Sequence, residues 1–263
     1  MKSQNTLTLC NAIFILLFAI STFFDGFLRS SFHLFAYLIT ILIGVWRASE
    51  ETDKIAPLKL SDIRATAFSL PLFPPILALT MLVALGTSAL FSLIGIEGTG
   101  ALGDRFGVAL LEHALLPAVF EELLFRYLPL ILLGRENPRG LILTSAIFFA
   151  LGHVSILHLP YAFLAGVCYM TLVLLTGSIW PSILAHFLNN LLSLSLTFFP
   201  ESMMLILILF ALVTLVSVLY LILNRRDYID RIRPYVVGRS HEFLTRGPIL
   251  YAACLLLLCV ITL

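Results

Sequence analysis

Apolar residues fall in long blocks along this chain, separated by short breaks rich in charge, glycine or proline. A helix needs about 20 apolar residues to cross a hydrocarbon core about 30 Å thick. Inside that core every backbone polar group must be paired without water, which restricts spanning segments to helices and closed barrels. The blocks predict helices over residues 7–24, 27–46, 65–94, 106–133, 140–159, 161–176, 178–199 and 203–223, with 248–263 as a short ninth. Pro71, Pro74 and Pro75 break the start of the third and leave 76–94 as its clean part. The breaks are a tight turn at Asp25-Gly26, a polar stretch over 47–64, a glycine-rich turn over 95–103, a short loop over 134–139, Pro160, Gly177 and an arginine-rich loop over 224–247. The expected architecture is all-α: a polytopic membrane protein with a bundle of eight transmembrane helices, nine if the last block also spans, forming a single integral membrane domain over 1–263.

Composition agrees with that pattern. Of 263 residues, 60% are hydrophobic and 12% charged, against about 25% charged in globular domains, and the mean hydropathy is +1.05. A net charge of +1 gives no electrostatic footprint for nucleic acid. Cys10, Cys168, Cys254 and Cys259 all sit inside apolar blocks without CxxC spacing, so they are read as packing residues. Thr6, Thr8 and Asn11 interrupt the first block, and no small-x-small cleavage site precedes Asp25, so the block reads as a retained span. Basic residues set the orientation. With the N-terminus cytoplasmic, that side carries Lys2, then Arg47, Lys54, Lys59 and Arg64, then Arg135 and Arg139, then Arg225, Arg226, Arg231, Arg233, Arg239 and Arg246. Only Arg29 and Arg105 face the other way. The arginine-rich loop is thus positive-inside bias, with contact to anionic membrane lipids as its by-product.

Against this background the stretch Phe120-Glu121-Glu122-Leu123-Leu124-Phe125-Arg126 stands out, because it puts three ionisable groups inside an apolar block. Such a side chain costs at least about 2.5–3.5 kcal/mol at the centre of a span and marks a functional site with partners elsewhere. Glu122 and Arg126, four apart with the acid first, are spaced to pair. Glu121, about 100° round the helix, is left to find partners on other helices. The next polar intrusions are Phe149-Ala150-Leu151-Gly152-His153 and His186-Phe187-Leu188-Asn189-Asn190, in which His186 and Asn190 share a face and Asn189 points to a neighbouring helix. At ~1.5 Å per residue, Glu121, His153, His186 and Asn190 fall about 12–20 Å from the cytoplasmic helix ends and can meet. Pro117, one turn before Glu121, frees a carbonyl and favours a kink there. Glu112 and His113 fall near the outer end of their helix, and His33, His158 and His241 sit at edges or in loops.

EExxxR, FxxxH and HxxxN, in this order and on successive helical segments, resemble the signatures of the CAAX prenyl protease and bacteriocin-processing family of intramembrane glutamate proteases, which includes the type II CAAX prenyl endopeptidases. The resembling core is about 106–199. The resemblance implies an intramembrane endopeptidase that hydrolyses a hydrophobic or lipidated peptide without a cofactor. Glu121 and His153 would activate water, and His186 and Asn190 would hold the oxyanion. Glu122, Arg126 and Phe149 would support them. Two other readings stay open on the residues alone. Glu121, His153 and His186 could supply the carboxylate and imidazoles of a catalytic zinc site, although no HExxH is present. The polar cluster could instead lock helices together in a non-catalytic membrane scaffold or a bacteriocin self-immunity protein.

Overall fold

The computed structural model describes residues 2–21, 23–24, 26–51, 63–96 and 105–236. Residues 237–263, including the block expected as a ninth span, lie outside the described residues. The described residues form nine helices: α1 (Lys2–Ser21), α2 (Gly26–Glu51), α3 (Arg64–Ser92), α4 (106–133), α5 (Pro138–Gly152), α6 (Leu159–Thr176), α7 (Trp180–Phe198), α8 (Met203–Leu223) and α9 (Arg225–Val236). No strand occurs among them. The prolines expected to break α3 instead tighten it to a 3₁₀ turn over Leu70–Leu72.

The chain is a polytopic helical membrane bundle; among the described residues five helices, α1, α2, α3, α6 and α8, are long and apolar enough to cross a bilayer. The eight spans expected over these residues are reduced to five for identifiable reasons. Helix α5 has 15 residues, about 22 Å at ~1.5 Å per residue. Helix α7 has the length, but His186, Asn189 and Asn190 lower its hydropathy. Helix α4 is not one regular helix.

Residues 106–133 are α-helical over Phe106–Ala109, Leu116–Glu122 and Leu128–Leu133, and wider, π-type, over Leu110–Leu115 and Leu123–Tyr127. Each wide stretch runs directly into a proline, Pro117 or Pro129. A proline ring clashes with the carbonyl four residues back and supplies no N–H. One extra residue in the turn relieves that clash, so two prolines fit without ending the helix. The Phe125 carbonyl, four before Pro129, accepts from Ser145 Oγ of α5 at 2.5 Å.

Turn chemistry places the next helices. Gly134 at φ 70° and ψ −170° closes α4, a positive-φ conformation open in practice to glycine alone. Asn137 then caps α5 by accepting from Gly140 N–H at 3.0 Å, with Pro138 at the first helical position. Gly177 at φ 71° turns α6 into α7.

Helices α5 and α6 form the tightest pair, and α1 and α2 form a hairpin against the C-terminal part of α4. A Cβ on Gly166 of α6 would lie 2.7 Å from Ala146 Cα of α5, so only glycine permits this backbone approach. Gly166→Ala is expected to force the pair apart and cost about 1–3 kcal/mol, read as a lower melting temperature in detergent; an unchanged melt would contradict the packing. The main apolar core takes Phe14 of α1, Tyr37 of α2, Phe73 of α3, Phe125 of α4, Phe149 of α5 and Tyr169 of α6. Helix α8 leans on α3 with none of its residues buried.

Part of the arginine-rich stretch expected as a loop is the helix α9. Tyr228 anchors it: its ring stacks on Phe68 of α3 at 4.3 Å, and its hydroxyl donates to the Phe68 carbonyl at 2.9 Å. Arg231 lies 4.3 Å over the same Phe68 ring. Two aromatic and cationic contacts to one residue hold the helix across the base of α3, and Arg225, Arg226 and Arg233 remain exposed.

Candidate active site

Helix α4 brings the acidic pair to the centre of the bundle between its two π-type turns. Glu122 and Arg126 are wholly buried, with Arg126 Nε 3.2 Å from Glu122 Oε2. The contact is an ion pair by proximity and is not aligned as a hydrogen bond. Neither Nη atom of Arg126 has a hydrogen-bond partner among the described residues. The guanidinium lies instead 4.2 Å over the Phe149 ring and 5.6 Å from that of Tyr169, where the ring quadrupole attracts a desolvated cation.

His186 of α7 joins both glutamates. Its Nδ1–H donates to Glu122 Oε1 at 2.9 Å, because an ionised carboxylate can only accept. Its Nε2 then faces Glu121 Oε2 at 3.8 Å. The ring is sandwiched by Tyr169, stacked at 5.2 Å, and by Phe149, edge-on at 5.6 Å. The other oxygen of Glu121, Oε1, accepts from the Tyr37 hydroxyl of α2 at 2.8 Å. The Glu121 side chain is 14% exposed, whereas Glu122 is fully buried, so only the first has access to a substrate or water.

His153 caps the C-terminus of α5, and its Nδ1–H donates to the Phe149 carbonyl at 2.8 Å. That bond fixes the tautomer and leaves Nε2 as an acceptor. The ring lies edge-on to Phe149 at 4.8 Å and forms an aromatic rim with His158 and Tyr161 at 6.1 and 6.2 Å. The next residue, Val154, has φ 45°. A β-branched residue rarely adopts that conformation, and such strain costs about 1–3 kcal/mol and collects at functional sites.

The structure therefore brings Glu121, Glu122, Arg126, Phe149 and His186 into one connected cluster. Among the described residues Glu121 and His153 form no direct ion pair or hydrogen bond: the imidazole facing Glu121 is that of His186, and His153 packs on Phe149, the ring that also meets His186. Asn190 is half-buried one turn beyond His186 on α7 and makes no side-chain hydrogen bond among the described residues. Its neighbour Asn189 turns the other way, with Oδ1 3.0 Å from the Thr80 hydroxyl of α3. Glu112 is half-buried and His113 exposed in the first π-type turn. Among the described residues no three His, Cys, Asp or Glu side chains are arranged to hold a metal ion, so the zinc arrangement of Glu121, His153 and His186 is not formed here.

Sequence reasoning missed Tyr37 and Tyr169, the phenol on Glu121 and the ring beneath His186 and Arg126. The available signal was weak but physical. A tyrosine inside an apolar helix carries a hydroxyl that needs a partner when buried; Tyr37, 9% exposed, finds Glu121, whereas the hydroxyl of Tyr169, 1% exposed, has no hydrogen-bond partner among the described residues.

No curated protein and no solved structure matches the chain. Residues 104–192, which carry Glu121 to Arg126, His153 and the pair His186 and Asn190, match the family of type II CAAX prenyl endopeptidases described as Rce1-like.

Proposed function

We propose that the protein is an intramembrane glutamate endopeptidase that cleaves a hydrophobic or lipidated peptide. The observation that carries this reading is the juxtaposition of Glu121 with His186, whose far nitrogen is held by the buried Glu122, within the segment similar to the prenyl endopeptidases. One carboxylate is partly open and the other is neutralised by Arg126. That division of labour suits a base supported by a fixed imidazole.

In the proposed reaction the Glu121 carboxylate takes a proton from water as the oxygen attacks the scissile carbonyl. His153 Nε2 accepts a hydrogen bond from the other O–H of the same water, and that hydrogen stays on the attacking oxygen. The C=O electron pair moves to oxygen, and the oxyanion is met by Asn190 Nδ2–H and by His186 Nε2, which donates only when the ring carries both protons. The intermediate then collapses: the C–N bond breaks, and the leaving amine takes the proton from Glu121. General base catalysis of this kind contributes about 10²–10⁴-fold, and each oxyanion donor about 10²–10³-fold. The reaction needs no cofactor. The chain acts as one membrane domain over 1–263, with its N-terminus and α9 on the cytoplasmic side and the site in that half of the bilayer, where basic residues gather.

The test uses purified protein in liposomes and a peptide ending in farnesylated cysteine followed by two aliphatic residues and one more. Release of the C-terminal tripeptide, followed by mass spectrometry, is expected from the farnesylated peptide at least about tenfold faster than from its unmodified twin, because burying the lipid adds about 0.8 kcal/mol per CH₂. Failure to cleave either peptide or a library of membrane peptides would favour the scaffold reading.

A further inference from the structure

We infer that Tyr37 is a positioning residue for Glu121, contributed by a helix outside the 104–192 match; the inference rests on the protease reading above. Tyr37 and Glu121 are 84 residues apart in sequence, yet Tyr37 Oη donates to Glu121 Oε1 at 2.8 Å. The hydroxyl is delivered by a packed ring. Phe14 of α1 lies 4.8 Å from it on one side and Phe120 of α4 lies 6.0 Å from it on the other. Phe14 in turn meets Phe125 of α4 edge-on at 5.8 Å. The α1–α2 hairpin is thereby seated on the same helix that carries the acid.

This contact distinguishes the two oxygens of one carboxylate. A carboxylate is acceptor-only and the phenol is the donor, so Oε1 is occupied by Tyr37. Oε2 is the oxygen that faces His186 Nε2 at 3.8 Å, beyond direct hydrogen-bond reach and in the range a water bridges. Tyr37 thus assigns Oε2 as the atom that receives the proton and fixes the carboxylate rotation. Phe14, Tyr37 and the hairpin become part of the site rather than its packing.

The experiment compares wild type, Tyr37→Phe, Glu121→Ala and the double variant in liposomes. Tyr37→Phe keeps the ring against Phe14 and Phe120 and removes only the hydroxyl. A fall of about tenfold in kcat with KM within about twofold is expected, the pattern of a lost transition-state interaction rather than lost binding. Melting temperatures of the four proteins test the contact itself: Tyr37→Phe should shift the melt less in the Glu121→Ala background than in wild type. Additive melting shifts, or an active wild type matched in kcat by Tyr37→Phe, would overturn the inference. Failure of the protease reading looks different: wild type and Glu121→Ala would then release equal, background product, and the positioning role would fall with it.

Discussion

Glu121→Gln is expected to abolish cleavage, lowering kcat by about 10²–10⁴-fold while leaving the melting temperature close to that of wild type. Glutamine is nearly isosteric, and its amide oxygen can still accept from Tyr37. It has no carboxylate to take a proton from water. The change should also spare the fold, because the carboxylate in direct contact with Arg126 is that of Glu122, 3.2 Å away, and it is untouched. Product release measured by mass spectrometry in the liposome assay gives the rate, and thermal unfolding of the same preparation gives the stability. Cleavage within tenfold of wild type by a well-folded Glu121→Gln protein would remove Glu121 as the base.

The second large effect concerns stability. Arg126→Met is expected to cost about 3–5 kcal/mol, the usual penalty for removing one partner of a buried ion pair. Glu122 would be left fully buried without its guanidinium partner, and Phe149 would lose the cation above its ring. Adding Glu122→Leu removes the stranded charge, and replacing a whole buried pair by apolar residues is often neutral or stabilising. The double variant should therefore melt near wild type. Its activity should stay low, because His186 loses the carboxylate that holds its Nδ1–H. Melting curves in detergent and the cleavage assay separate the two effects. A single Arg126→Met variant as stable as wild type would mean that the pair contributes nothing to the fold, and a fully active double variant would mean that Glu122 does not orient His186.

These expectations divide according to how far each rests on local spacing. The Glu122–Arg126 pair follows from i, i+4 geometry, and it forms although a π-type turn lies between the two residues. The eighth helix, a block between Phe199 and the arginines that carries no charge, has the bounds Met203–Leu223 that its composition predicts. Asn189 and Asn190, adjacent in sequence, face different directions because successive residues on a helix are about 100° apart, and only Asn189 accepts from the Thr80 hydroxyl. Pro117 signalled a disturbance in α4. It did not indicate that the helix would widen twice, because the relief of a proline clash depends on what the surrounding helices offer. Ser145 supplies that support from α5 at the second widening. Helix α9 was read as a loop because its arginines dominate its composition. Its order depends on Tyr228 finding Phe68, 160 residues earlier.

The sequence by itself determined that charge lies inside apolar helices, which residues share a face, and that Glu121 lacks a partner on its own helix, because hydrophobic blocks and 3.6-residue periodicity are local properties. Only the tertiary structure decided who that partner is. His153, grouped with Glu121 at matching depth, donates its Nδ1–H to the Phe149 carbonyl of its own helix, which leaves only Nε2 to face the site. His186 and Tyr37 take the places on the carboxylate. Depth along a helix fixes one coordinate; which side chains meet depends on the rotation and spacing of neighbouring helices, set here by contacts as close as Gly166 against Ala146 and by rings such as Phe14 and Phe149 that fill the space between them.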